Sequence, residues 1–176
     1  SSAKARVALP DWSPAAVHAS SGWSIEAPSG PRRSQVDQTI EVLLESYPKL
    51  FSETPDLSIY RDDIEFRGLA GLINVVKPDT IASGDAGPIL GLDGYRRLFD
   101  ALRLARHTTV DTADLSFKLS RSECDRTLRV RWHAKLWLRL FGPAEPLCID
   151  GVSVYELDDE ARVRIHRLEN VERYGD

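Results

Sequence analysis

The feature that most constrains the fold is a long run of alternating residues in the second half of the chain. Apolar side chains occupy every second position from Leu128 to Leu140, and mostly Arg, Lys and His occupy the positions between them. A period of two is the pattern of a β-strand with one buried face. Most strands have only about five or six residues. This one must therefore bend or coil to stay within a single domain, which predicts a strongly curved sheet.

Three further segments predict the other main strands of the sheet. Residues 113–120 alternate in the same way, and a strand at 147–157 follows the Gly-Pro pair that begins at Gly142. The acidic run 158–160 separates it from a last strand at 163–171. Because the connections are short, we expect the strands to pair as consecutive antiparallel hairpins.

The first half of the chain is predicted to be mainly helical. Apolar residues recur at three- and four-residue spacing between Ser34 and Pro48, where proline ends the helix. The same spacing after Gly91 predicts a helix to about residue 105. Between these helices we expect a short helix at 56–62, a brief strand at 63–67 and a long connection at 68–90. Helices followed by an antiparallel sheet indicate an α+β fold.

Aligning the apolar faces of the first two long strands predicts their register. Leu119 is placed opposite Leu128. This register brings Asp114 opposite His133 on the polar face, where the two side chains are expected to form a simple cross-strand pair.

The same procedure predicts that one carboxylate points toward the core. Placing Phe141 opposite Leu147 turns Asp150 toward the apolar face. The last strand leaves two alternatives: His166 points inward and lies diagonal to Asp150, or it points outward and its odd-numbered neighbours form the core.

Composition excludes several classes of protein. The 176 residues suffice for one domain, and a net charge of -4 argues against a nucleic-acid-binding protein. No apolar run approaches the roughly 20 residues of a membrane-spanning helix. Cys124 and Cys148 are expected to be reduced, and no His, Cys, Asp or Glu group has metal-ligand spacing. We expect neither a metal nor a cofactor.

Residues 1–33 differ from the rest of the chain. Twenty of these 33 residues are Ser, Ala, Gly or Pro, and the segment has four basic residues against two acidic ones. This composition is typical of a disordered tail, and it also resembles the end of an organelle transit sequence or the mature segment after its cleavage. Trp12 and Trp23 are its largest apolar anchors. We expect this extended arm to lie along a partner protein, and residues 34–176 to form the folded domain.

Five segments together resemble the nuclear-transport-factor-2-like (NTF2-like), or SnoaL-like, superfamily. The order of these segments, over roughly residues 35–172, carries the resemblance: Ile59–Phe66, Gly91–Phe99, Val130–Trp132, Gly151–Leu157 and Arg164–Asn170. The chain is most similar to an uncharacterised branch of plants, algae and cyanobacteria, which is usually organelle-targeted in eukaryotes. The resemblance implies a cone in which a curved antiparallel sheet wraps the N-terminal helices around a cavity.

The resemblance also implies candidate site residues. Superfamily members that act as isomerases use a tyrosine and one or two carboxylates in the cavity. The positions that correspond in this chain are Tyr95, Asp150, His166, and Asp63 or Glu65. The superfamily also contains cyclases, dehydratases, small-molecule binders and subunits without any chemistry, so fold alone leaves the activity open.

The polar face of the long strand predicts a binding surface. It carries Arg129, Arg131, Lys135 and Arg139 with Trp137 among them and no acidic residue. Arg and aromatic residues are enriched where interfaces concentrate their binding energy. A solvated face is the plain alternative. The acidic total charge favours an acidic protein or a lipid headgroup over RNA as the partner.

From these observations we expect a non-catalytic accessory subunit of an organellar multi-protein assembly, in a chloroplast rather than a mitochondrion. Its partners are expected to be other subunits of that complex, with association with a membrane complex also open. The alternative is an isomerase or cyclase, or a carrier, that takes a small apolar molecule into the cavity.

Overall fold

The computed structural model describes residues 31–50, 52–76, 87–122, 126–139 and 146–174. The segment 1–30, with Trp12 and Trp23, lies outside the described residues. The helices are α1 (Pro31–Ser46), α2 (Leu69–Val76) and α3 (Leu92–Thr109), and a short 3-10 helix covers Tyr47–Lys49. The strands are β1 (Tyr60–Arg67), β2 (Ile89–Leu90), β3 (Val110–Arg121), β4 (Thr127–Leu138), β5 (Leu147–Leu157) and β6 (Val163–Tyr174).

The strands form one six-stranded sheet in the order β2-β1-β6-β5-β4-β3. From β3 to β6 every neighbouring pair is antiparallel, as predicted, whereas β1 lies parallel to β6. The sheet is therefore mixed. The predicted α+β fold is confirmed, with the helices packed against the concave apolar face of the sheet. None of the described helices has the length and hydrophobicity needed to cross a membrane.

The two long helices that were predicted are present. α1 begins at Pro31, three residues before the predicted start, and proline suits the first turn of a helix because it has no N–H to leave unpaired. At the other end, Pro48 lies in the 3-10 helix that follows. The hydroxyl of Thr39 in α1 donates a hydrogen bond of 2.8 Å to the carbonyl oxygen of Ala161. This bond attaches the helix to the turn between β5 and β6.

The predicted helix at 56–62 is wrong. A backbone N–H of Ser58 donates to the side chain of Asp56, which forms a turn. The carbonyl of Ile59 then accepts a 2.7 Å hydrogen bond from the N–H of Val163. Pairing with β6 therefore converts the segment from Tyr60 onward into strand, which shows tertiary context overriding a weak local preference.

The segment 68–90, predicted as one long connection, contains α2 and β2. α2 packs on β6, and Gly68 just before it has a φ of 92°. A Cβ at this position would lie 2.4 Å from the carbonyl oxygen of Leu168. Only glycine allows the chain to turn so close to the neighbouring strand.

The predicted register of β3 and β4 is two residues off. Leu119 pairs with Val130, and Asp114 lies opposite Lys135 instead of His133. An even shift leaves each side chain on its predicted face. The faces were therefore predicted correctly although the partners were not.

The predicted register of β4 and β5 is wrong by an odd number of residues. Leu147 lies opposite Leu136, so the connection between the strands is longer than the expected tight turn at Gly142. An odd shift exchanges the two faces of a strand. Asp150 consequently lies opposite His133 on the outer face, and the predicted inward carboxylate is absent from the described core.

On its inward face, β5 has a glycine directly opposite a tryptophan of β4. Gly151 lies opposite Trp132, and a Cβ on Gly151 would approach the indole ring to 2.3 Å. The ring therefore occupies the space that a side chain would need.

We predict that Gly151→Ala destabilises the fold by about 1 to 3 kcal/mol, because the added methyl group displaces the buried Trp132 ring. The midpoint of urea denaturation measures this effect. Gly71→Ala in α2 is the control. Its Cβ would meet Val171 at an ordinary 3.7 Å, and alanine favours helix, so the midpoint should stay or rise. An unchanged midpoint for Gly151→Ala would contradict the prediction.

Candidate functional site

The structure brings together two of the five residues predicted as catalytic candidates. Tyr95 in the first turns of α3 and His166 in β6 are 1% and 3% exposed. The Tyr95 hydroxyl oxygen lies 2.8 Å from Nδ1 of His166, which is hydrogen-bond distance. His166 points inward, which confirms the first of the two predicted orientations. It lies opposite Tyr155, however, and away from Asp150. A register shift at Glu156–Leu157 lets Val163 face the core as well.

Aromatic rings hold the imidazole of His166 in place. The ring of Tyr155 stacks on it at a centroid distance of 4.3 Å, and the ring of Phe66 meets it edge-on at 5.0 Å. Burial lowers the pKa of His166 to about 3, because the charged imidazolium would lose its hydration without gaining a carboxylate partner. The imidazole is therefore neutral at physiological pH.

Tyr95 of this pair is one of four buried tyrosines in the core. Burial raises the pKa of Tyr60 to about 12 and raises those of Tyr47, Tyr95 and Tyr155 as well. The hydroxyl groups of Tyr47 and Ser153 share a 2.8 Å hydrogen bond. All four phenols keep their protons at physiological pH, so the site carries polar groups without net charge.

A partly open pocket of about 60 Å³ lies between the helices and the sheet. On this measure one water needs roughly 10 to 15 Å³, so the pocket has room for about four to six waters or for a short organic molecule. Its walls are formed almost entirely by apolar groups of the 3-10 helix and the residue after it, of α2, of α3 and of the sheet: Tyr47, Leu50, Phe66, Leu72, Leu98, Phe99, Leu102, Leu115, Trp132, Ser153, Tyr155, His166 and Leu168.

One polar atom of the pocket residues has no partner. Nε2 of His166, a residue of the pocket lining, is buried and makes no hydrogen bond within the described part of the chain. A buried donor or acceptor without a partner costs about 1 to 3 kcal/mol. The site therefore retains an unsatisfied hydrogen-bonding group next to its apolar pocket.

The predicted carboxylates lie on the outside of the sheet. Asp63 pairs with Arg61, which holds the pKa of Asp63 below its usual value, and its side chain is 66% exposed. Glu65 pairs with Arg67 in the same way, and Asp150 pairs with His133. None of these acids can reach the pocket from the outer face.

The predicted binding surface is exposed on the outer face of β4. Arg129, Arg131, Lys135 and Arg139 are exposed, and Trp137 is half-buried. Arg129 pairs with Glu169 of β6 at 3.6 Å. Among the described residues, no ion pair is formed by the other three cations, so they are available to a partner.

Within the described ranges, no group of three His, Cys, Asp or Glu side chains is arranged to hold a metal ion. Cys148 is a free thiol. Cys124 lies outside the described residues.

Residues 84–166 match the family model described as an uncharacterized conserved protein, DUF2358. A comparison with curated proteins gives no match. The pinacolase BvnE from Penicillium brevicompactum superposes with a TM-score of 0.52 at 13% identity, covering 81% of this chain and 87% of that one.

Two further solved structures are similar. SalBIII, described as an epoxide hydrolase/cyclase-like enzyme in pyran ring formation in salinomycin, has a TM-score of 0.51 at 14% identity, covering 80% of this chain and 99% of that one. An NTF2-like protein from Exiguobacterium sp. 255-15 has a TM-score of 0.49 at 12% identity, covering 74% and 95%. The chain has the NTF2-like fold. At these identities the likeness shows the fold alone, and the assignment to a plant, algal or cyanobacterial branch stays a prediction.

Sequence reasoning missed part of this NTF2-like pocket. Ser153, Tyr155 and the packing of Trp132 on Gly151 all follow from the register of β5. The signal that would have found them is Gly151 itself, because a strand glycine often marks a close approach of a neighbouring group.

We predict that burial of neutral His166 makes the fold less stable as the pH falls. Its folded pKa is about 3 and its ordinary value 6.5, so between these values the unfolded chain binds one more proton than the folded chain. The free energy of unfolding should fall by about 2 kcal/mol from this group between pH 7 and pH 5. Urea denaturation at several pH values measures the slope of the free energy of unfolding against pH.

The double variant Tyr95→Phe/His166→Phe removes both partners of the buried hydrogen bond, and we expect it to lose this contribution to the slope. Tyr95→Phe alone keeps the imidazole and should keep the pH dependence. Equal slopes in the parent and the double variant would contradict a neutral buried His166.

Proposed function

We propose that this NTF2-like protein binds a small, mostly apolar molecule in the pocket beneath the sheet. The observation that carries the proposal is the pocket itself, with its apolar walls and one unsatisfied polar group, Nε2 of His166. Concave, mostly apolar pockets with few polar groups are the usual form of small-molecule sites. The volume of about 60 Å³ limits the ligand to a short molecule unless the walls move.

The chemistry of the walls favours a carrier or sensor over an enzyme of the isomerase or cyclase type. Moving a proton on a substrate needs a group that exchanges protons near physiological pH. In the described pocket, burial lowers the pKa of His166 to about 3 and raises the pKa values of Tyr47 and Tyr155. The acids Asp63 and Asp150 are paired on the outer face.

The similar enzymes SalBIII and BvnE keep the catalytic alternative open. SalBIII is described as an epoxide hydrolase/cyclase-like enzyme and BvnE as a pinacolase. In this chain an enzyme would have to use Tyr95 and His166 as neutral hydrogen-bonding groups. Recovering a bound molecule unchanged after prolonged incubation would support the carrier, and conversion would support the enzyme.

We predict that a larger side chain at position 102 blocks the pocket. Leu102 lines the pocket, whereas Leu104 on the same helix is 64% exposed. Titration with benzene, followed by the NMR shifts of the leucine methyl groups, should saturate in the parent protein. Leu102→Phe should weaken binding at least tenfold because its ring occupies the pocket.

The matched control is Leu104→Phe, which makes the same substitution on the solvent side of α3 and should bind benzene like the parent. Absence of saturable methyl shifts in the parent, or equal binding by both variants, would refute ligand binding in this pocket.

A second role is favoured by the basic surface of β4. Arg131 and Lys135 are exposed without ion-pair partners among the described residues, and Lys118 of β3 lies directly opposite Arg131. Like charges placed opposite one another destabilise a sheet unless an anionic partner compensates them. This surface supports the proposal of an accessory subunit that binds an acidic protein. The composition of residues 1–33 favours an organelle, and the resemblance to a branch of plants, algae and cyanobacteria favours the chloroplast.

We predict that native protein prepared from organelles elutes in size-exclusion chromatography well above the 19.7 kDa of one chain. Arg131→Glu should release it from the assembly, because it reverses the charge at the centre of the surface. Arg97→Glu, on the exposed side of α3, is the matched control and should leave the elution unchanged. Native protein that elutes as one or two chains would reject the subunit role.

A further inference from the structure

The inference concerns the direction of the hydrogen bond between Tyr95 and His166. A neutral imidazole carries one hydrogen, on either Nδ1 or Nε2, and the bond made by one nitrogen decides the state of the other. Nδ1 lies 2.8 Å from the Tyr95 hydroxyl oxygen. Either the phenol donates to Nδ1 and Nε2 carries the hydrogen, or Nδ1 donates to the phenol and Nε2 is bare.

The first arrangement gives the stronger bond. A phenol, with an ordinary pKa near 10, is a good hydrogen-bond donor, and a bare imidazole nitrogen, whose conjugate acid has a pKa near 6.5, is a good acceptor. The reverse bond would join a weaker donor to a weaker acceptor. This favours the arrangement in which Tyr95 donates to Nδ1 and the hydrogen of the ring stays on Nε2.

The position of the ring is fixed on three sides, so this hydrogen has a fixed direction. Tyr155 stacks on one face, Phe66 meets the ring edge-on and Tyr95 holds Nδ1. Nε2 has no acceptor among the described residues. The other polar groups of the wall are the hydroxyls of Tyr47, Ser153 and Tyr155, of which Tyr47 and Ser153 are bonded to each other. The pocket thus has one donor without a partner, whereas its hydroxyl groups can each accept as well as donate.

We infer that the ligand carries a hydrogen-bond acceptor without a hydrogen of its own, most simply the oxygen of a small ketone or aldehyde, and that this oxygen accepts from Nε2–H of His166. This inference rests on the proposed function. A hydrocarbon would leave Nε2–H unsatisfied. An alcohol would satisfy it but would also bring a hydrogen that only the hydroxyl oxygens of Tyr47, Ser153 and Tyr155 could accept. Tyr95 is then a positioning residue that selects the donor form of the imidazole.

The state of the imidazole can be tested without any ligand. In the full chain labelled with 15N-histidine, NMR at pH 7 distinguishes a protonated ring nitrogen from a bare one. We expect His166 to be protonated at Nε2 and bare at Nδ1, and we expect Tyr95→Phe to give a mixture of the two forms. A hydrogen on Nδ1 in the parent protein would overturn the inference.

The ligand class can be tested with three probes of one size: cyclopentane, cyclopentanone and cyclopentanol. For each probe, the affinity of the variant is compared with that of the parent protein, because the probes differ in their own affinity for water. The double variant Tyr95→Phe/His166→Phe should lower the affinity for cyclopentanone at least fivefold and change the affinity for cyclopentane less than twofold. The effect on the affinity for cyclopentanol should lie in between. Tyr95→Phe alone should weaken cyclopentanone by an intermediate factor.

The outcomes separate the two proposals. If the parent protein binds none of the three probes, the proposed ligand pocket fails, whatever the state of the imidazole. If the probes bind and the double variant weakens all three alike, the pocket stands and the inference about the acceptor oxygen is overturned.

Discussion

The contact between Trp132 and Gly151 is the constraint on which the interior of this NTF2-like domain depends. An indole ring on β4 lies over the bare backbone of β5, so the two strands fit in one register. Because a strand alternates its side chains, this register decides the direction of every residue on β5. It turns Ser153 and Tyr155 toward the helices and Asp150 toward the outer surface. The chemistry of the pocket is therefore a consequence of one steric contact.

Burial then decides the protonation of the groups that remain inside. A carboxylate near His166 would favour the imidazolium, since an opposite charge offsets lost hydration. The structure gives His166 a phenol and aromatic rings instead, so the neutral form is favoured. The same surroundings keep the protons on the tyrosines. The pocket can offer directed hydrogen bonds, while the exchange of protons with a substrate would need groups that it lacks in the described residues.

The parts of this structure that follow local patterns could be predicted from the sequence, and the parts that depend on one long-range register could not. Periodicity located α1, α3 and the four long strands, because the side-chain pattern of an element is set by its own burial. It failed at 56–62 and 69–76, where pairing with β6 and packing on β6 decide the conformation. Tyr95 and His166 were recognised as candidates, but their contact depends on the shift at Glu156–Leu157, which has no local signature.

The wrong prediction for the register of β5 also shows that a fold does not by itself fix an activity. With the predicted register, Asp150 and His166 would lie inside together and form an acid–base pair suited to moving protons. The observed register differs by an odd number of residues and pairs the same carboxylate with His133 outside. The order of the strands is the same in both registers, yet the inside changes from an ionisable site to a neutral one. For a chain of this fold, the direction in which the carboxylates of the central strands point is therefore better evidence of chemistry than the fold itself.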